Sequence, residues 1–247
     1  SVSIGSFSAN GNFLGDASIS IDNSLNQDSY NLEFIIKNNR NNIFDLAGVF
    51  KIEDDDYPMN FKLITRNFNI TPFSAIGENV LQNFKGYFNS DIDVTGTFYK
   101  PIFEGYINAV DSSFDVPYLG LRYGFVDDPT FTLNNQTINI KDFTLNEKKS
   151  NTSGVMSGKI SHNRLKDWFL DFKIESKNLI ALNTQSSENE YYYGTGFLNG
   201  SAYFIGPGKD LDIKINGATQ ENTKIIIPIR YGDGLDQLSY LTFKDNN

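Results

Sequence analysis

From Gly86 to Phe125 the chain alternates apolar and polar residues and is stopped every few positions by a turn-former. Ile92, Val94 and Phe98 carry the apolar phase first, then Phe103 and Ile107, then Phe114 and Val116, with Gly96, Pro101, Gly105 and Pro117 as punctuation. Period two sends successive side chains to opposite sides of a strand, so each run has one dry face and one wet face. A chain written this way has to lay strand beside strand to bury its dry faces.

The same phase returns downstream. Ile138 and Ile140 alternate with Asn139 and Lys141. Trp168, Leu170, Phe172 and Ile174 oppose Asp171, Lys173 and Glu175. Leu211, Ile213 and Ile215 oppose Asp210, Asp212 and Lys214, and Ile225, Ile227 and Ile229 form a last dry run. Strands are predicted at 30–37, 47–53, 59–66, 91–99, 102–109, 113–119, 121–126, 130–133, 137–146, 153–161, 167–176, 196–205, 210–216 and 223–230. Their joints carry turn chemistry, as in Asp54-Asp55-Asp56, Asp111-Ser112, Asn134-Asn135 and Gly206-Pro207-Gly208, and are short enough to imply antiparallel neighbours. Aromatics at 14% and 20 glycines fit many short strands better than helices.

One segment reads differently. Thr71-Pro72 is a helix-opening pair, Phe73, Ile76, Val80 and Phe84 follow at helical spacing, and Gly86 ends the run, so a short helix is expected near 72–84. An internal repeat is also expected: Gly48, Gly86, Gly96 and Gly124 recur 110 residues later as Gly158, Gly196, Gly206 and Gly234, while Phe61/Phe172 and Leu63/Ile174 match at 111. The two copies would span about 48–126 and 158–234 of one continuous β fragment, residues 1–247.

The residues that carry chemistry are sparse. A net charge of -9 without a visible Lys/Arg cluster argues against nucleic acid and against electrostatic adhesion to anionic membranes. With no cysteine there are no disulfides and no thiolate metal sites. The single histidine, His162, falls in a Ser-His-Asn turn and reads as exposed. Asp91, Asp93 and Thr95 imitate the start of a calcium loop, but Ile102 stands where the bidentate Glu belongs, so strand is the better reading. No nucleotide or nucleophile motif is present, and the chain is expected not to be an enzyme and to need no metal or cofactor. No run of 18 apolar residues or signal peptide is seen, and the chain reads as a piece of something longer.

The ordered motifs carry a family resemblance. They are Asp91-x-Asp93-Val94-Thr95-Gly96-Thr97, Lys100-Pro101-x-Phe103-x-Gly105-x-Ile107 and Phe114-x-Val116-Pro117-Tyr118-Leu119. Asn151-Thr152-Ser153-Gly154, Gly158-Lys159-Ile160-Ser161-His162, Tyr192-Tyr193-Gly194-Thr195-Gly196, Gly206-Pro207 and Ile225-Ile226-Ile227-Pro228-Ile229 continue the series. Over about 45–243 the chain resembles the C-terminal β-domain of the TamB family, the translocation and assembly module branch of the AsmA-like bridge-type lipid-transfer proteins, in its Bacteroidetes-type form. The resemblance implies an elongated all-β half-pipe (a β-taco) whose apolar groove carries phospholipid acyl chains through the periplasm. It also implies an inner-membrane anchor elsewhere in the parent protein, and an Omp85-type outer-membrane partner of the TamA or BamA kind. Outer-membrane β-barrels would be clients. Alternation alone allows a second architecture, a β-sandwich or jelly roll. Two functions belong with it: an adhesin or carbohydrate-binding module using Tyr191-Tyr192-Tyr193 as a platform, or a hydrolase using paired carboxylates.

Overall fold

The computed structural model describes residues 1–26, 28–52, 57–72, 74, 81–207 and 210–228. The strands are β1 (Val2–Ala9), β2 (Asn12–Asn26), β3 (Ser29–Asn38), β4 (Asn41–Lys51), β5 (Met59–Asn69), β6 (Gln82–Gly96), β7 (Pro101–Val116) and β8 (Leu121–Phe125). They continue with β9 (Thr130–Asn135), β10 (Thr137–Glu147), β11 (Thr152–Asn163), β12 (Lys166–Thr184), β13 (Tyr193–Pro207), β14 (Asp212–Thr219) and β15 (Lys224–Ile226). All belong to one antiparallel 15-stranded sheet in chain order; β8 and β9 share the space between β7 and β10, and β14 and β15 both flank β13. The fold is thus the all-β curved sheet of the half-pipe reading, and the sandwich alternative lacks the second sheet it needs among the described residues.

Several strands are longer than the sequence pattern implied, because residues that read as strand ends are bulges. Asp111, taken as a joint, sits inside β7 with φ 46°, at a register shift against β6. Asn67 in β5, Asp142 in β10 and Ser6 in β1 occupy the same left-handed region at register shifts of their own. At three of these bulges the N–H thrown out of the ladder finds a side-chain oxygen: Ser6 donates to Asp16 Oδ1 at 3.0 Å, Asn67 to Asn89 Oδ1 at 2.8 Å and Asp111 to Asp128 Oδ1 at 2.9 Å. A bulge bends its strand and tightens its twist, so these positions crease the sheet.

The expected helix falls mostly on residues 73 and 75–80, outside the described set. Its last turn is corrected: Gln82–Phe84 open β6, and Gly86, expected to end a helix, lies inside that strand with φ 112°. The Asp54-Asp55-Asp56 turn, Ile229 and Gly234 also lie outside the described residues. β1 and β2 lie ahead of 30–37, the first strand predicted, in a stretch with strand-like texture but no named strand.

Curvature is measurable from contacts between strands that are not neighbours. Phe103 on β7 and His162 on β11 bring their rings to 5.7 Å, although β9 and β10 separate them. In a flat sheet those strands would stand about 14 Å apart. Likewise Tyr123 on β8 donates its hydroxyl to the Ile180 carbonyl on β12 at 2.7 Å, across β10 and β11. The dry side is therefore the concave side.

Candidate functional site

Register turns the dry side into rows. Starting at β1, directly paired residues run Val2, Ile19, Phe34, Leu46, Leu63, Ile92, Gly105, Leu133, Ile138, Ile160, Leu170 and Gly206. No polar or charged side chain interrupts that row from β1 to β13. A second row, Ile21, Leu32, Gly48, Phe61, Val94 and Phe103, passes the tip of the β9–β10 hairpin by ring contact to His162 and then to Trp168 at 4.9 Å. A third ends in Ile140, Gly158, Phe172, Phe204 and Ile213, where the rings of Phe172 and Phe204 stack at 4.8 Å.

These rows place the sequence-predicted lining residues. Ile107 belongs with Ser90 in the third row, and Ile174 follows Met156 toward Ala202 and Ile215. Leu211 lies just ahead of β14. Ile225 packs beside Gly196, and Ile227 follows β15. Phe98 is in the turn after β6 and leans back on Phe50 at 5.8 Å and Phe61 at 6.5 Å. Phe114 and Val116, beyond the Asp111 bulge, join Leu121, Tyr123, Leu179 and Ile180 in a closed cluster, so Val116 is core rather than accessible wall. Ile92 and Ile140 are buried in the same way, whereas Phe103, Ile107, Trp168, Leu170 and Phe172 keep part of their surface open and Ile213 is 42% exposed.

Sequence reasoning missed Phe34, Leu46, Leu63, Leu133, Ile160 and Phe204. Their alternation was present, but apolar residues in the wet phase, such as Ile35 and Ile64, blurred it.

The convex side holds the charges. Lys62 bridges Asp91 and Asp93, Lys159 faces Asp171 at 3.7 Å, Lys173 meets Glu175 at 2.9 Å and Lys214 meets Asp212 at 3.2 Å. Asp91 and Asp93 thus pair with a lysine within the sheet, and among the described residues no group of three or more His, Asp or Glu is placed to hold a metal ion. The depression lined by Thr144, Ser153, Val155, Glu175, Asn178 and Asn216 includes no residue of these rows.

Polar atoms on the concave side are few and mostly satisfied. Thr65 Oγ1 lies 2.9 Å from Ser90 Oγ and also donates to the Phe88 carbonyl. His162 is corrected from an exposed turn residue: it is 8% exposed, its Nδ1 accepts the Leu165 N–H at 3.1 Å, and burial holds its pKa below the ordinary value, so the ring is neutral. Near the closed cluster, burial pushes Tyr118 up to about 12 and Tyr123 higher still. Burial also works against the Glu147 carboxylate, but bonds from the Ser150 hydroxyl and from the Ser150 and Lys149 N–H groups outweigh it and lower its pKa. Of the tyrosine platform, Tyr191 is exposed while Tyr192 and Tyr193 are half-buried, Tyr193 opening β13.

No family model, curated protein or solved structure matches this chain. The site rests on its own geometry: a creased sheet, a concave wall crossed by one unbroken apolar row from β1 to β13, and a charged convex back.

Proposed function

We propose that this chain is a segment of a lipid-transfer conduit whose concave face carries phospholipid acyl chains. The observation that carries the reading is the uninterrupted apolar row from Val2 to Gly206. Each methylene an acyl chain withdraws from water on such a wall contributes about 0.8 kcal/mol. Because the row offers no charge and no unpaired donor, successive positions are close in energy and the chain slides rather than docks. A headgroup would stay on the open side in water.

The family resemblance extends the proposal to the setting. There the conduit lies in the periplasm as part of an inner-membrane-anchored protein, reaches an Omp85-type outer-membrane protein, and supports outer-membrane and β-barrel biogenesis. The chain performs no chemistry of its own in this reading.

Photo-crosslinking tests it directly. A photoreactive residue at Ile213, on the concave side of β14, should yield lipid adducts in cells, while one at Asp212, its convex neighbour, should not. Adducts at neither position, or at both equally, would sink the proposal.

A further inference from the structure

We propose that the open edge of β14 pairs with β14 of a second copy of this chain, antiparallel about Ile213, so that two half-pipes join into one twofold sheet. Among the described residues both ends of the sheet are open: β1 pairs only with β2, and β14 only with β13. An unpaired edge strand presents a row of N–H and C=O groups to any strand that can align with it. The two edges differ in how far they permit this. β1 is broken by register shifts between Ile4 and Phe7 and between Phe7 and Ser8, and Ser6, at φ 58°, turns its N–H to Asp16 Oδ1. A bulge of that kind keeps another strand from following the edge. β14 has no such guard. Its eight residues pair with β13 without a shift, none has a positive φ, no proline interrupts them, and all are exposed.

The side chains select the occupant. Ile213 and Ile215 stand on the dry side, while Asp212 and Lys214 form an exposed ion pair of 3.2 Å on the wet side. Antiparallel pairing about Ile213 sets Asp212 opposite Lys214 of the second copy and Lys214 opposite its Asp212, while Ile213 meets Ile213 and Leu211 meets Ile215. Opposite charges directly across a ladder attract, and like charges repel. Centring the pair on Asp212 or on Lys214 would set like charges face to face, and centring it on Leu211 would set Asp210 against Asp212. Centring it on Ile215 leaves Asp212 opposite Ala218 and Lys214 opposite Asn216, and centring it between residues puts a charge against an isoleucine. Of these registers, only the one about Ile213 gives both charges their opposites. The twofold axis then lies normal to the sheet, both dry sides face the same way, and the concave wall continues from one copy into the other. Backbone groups and wet-side charges make the pairing, which does not depend on what the wall carries.

One strand of eight residues is a small interface beside the roughly 1,200 Å² of a stable complex, so dimers are expected at about 10–100 μM and monomers at low micromolar concentration. Sedimentation equilibrium of the full chain tests this in about 0.15 M salt, which screens the net charge of -9 on each copy. Lys214→Glu leaves only acids on the wet side of this edge and Asp212→Lys leaves only lysines there; each alone should weaken self-association roughly tenfold or more. Mixed in equal amounts, the two variants should pair with each other at least as tightly as wild type, because every acid then faces a lysine. A merely structural role for these charges gives no such rescue. Register is read separately. The chain has no cysteine, so a short bismaleimide should link Ile213→Cys into dimers and leave Ile4→Cys, on the β1 edge, monomeric. A wild type that stays monomeric at the highest concentration, single variants that dimerise undiminished, a mixture that fails to pair, or linkage through Ile4→Cys overturns the proposal. Lipid adducts at Ile213 are scored in cells on their own, so either reading can fail while the other stands.

Discussion

Gly158 on β11 and Phe172 on β12 are cross-strand partners so close that a Cβ on Gly158 would lie 2.5 Å from Phe172 Cα. Gly48 and Phe61 stand in the same relation, at 2.6 Å, on β4 and β5. In both pairs a large ring lies over a residue with no side chain, which lets the sheet crease toward its dry side without overfilling it.

Alanine at either glycine is therefore destabilising. At Gly158, where φ is 139°, backbone strain adds to the clash, and the expected loss is about 2–4 kcal/mol. At Gly48, whose backbone is ordinary, the clash with the Asn60 carbonyl and Phe61 acts alone, and a loss of about 1–3 kcal/mol is expected. Urea unfolding of the two variants measures both values, and Gly158→Ala should be the worse.

His162 makes stability depend on pH. Its folded pKa lies below the ordinary value because of burial, while the unfolded chain titrates near about 6.5. As the pH falls below that, the unfolded state takes up the proton first, so this contribution is complete above about 6.5 and is lost as pH drops toward the folded value. Carboxylates add an acid sensitivity of their own, so the readout is a difference: the melting temperature of His162→Phe should fall less than that of wild type between about pH 7 and pH 5.

The Tyr123 hydroxyl bonds the Ile180 carbonyl where β8 and β12 meet over the β10–β11 turn. Tyr123→Phe keeps the ring in its cluster and leaves that buried carbonyl without this donor. A loss of about 1–2 kcal/mol is expected, with the Ile180 region becoming faster to exchange amide hydrogens. Unchanged stability would mean that the closure is held by apolar packing alone.

Much of this architecture is legible in the sequence, for a physical reason. Alternation reports which side of a strand is dry, so Ile92, Phe103, Leu170 and Ile213 are assigned to one face without coordinates. What alternation does not report is a bulge. Asp111 looks like a turn because left-handed backbone favours the same residues in both settings. Strand pieces that belong together therefore read as separate, and the crease they create is invisible. His162 was misread for a related cause: a residue beside a hairpin tip is exposed in a flat sheet, and only curvature brings Phe103 and Trp168 onto it. The concave rows are a property of register, which needs the pairing itself.

Charge placed on the concave wall separates folding from passage, and the choice of residue decides whether the experiment can be read. Phe172 is half-buried and stacked on Phe204, so Phe172→Glu strips a packed ring and sets a carboxylate among apolar neighbours, with an expected cost of several kcal/mol. Lost lipid binding in that variant would be explained by lost structure. Ile213 occupies the same row two strands further on, but at 42% exposure on β14, where a carboxylate keeps its water. Ile213→Glu should change stability by less than about 1 kcal/mol while putting a charge in the path of any acyl chain. The expected result is a folded protein with wild-type circular dichroism and melting, and lipid adducts to a photoreactive residue at Leu170 reduced by at least about tenfold. The factor follows from the cost of leaving even a partly desolvated carboxylate beside hydrocarbon. If that variant folds and lipid still reaches Leu170 at the wild-type level, acyl chains do not travel along this face, whatever its apolar character.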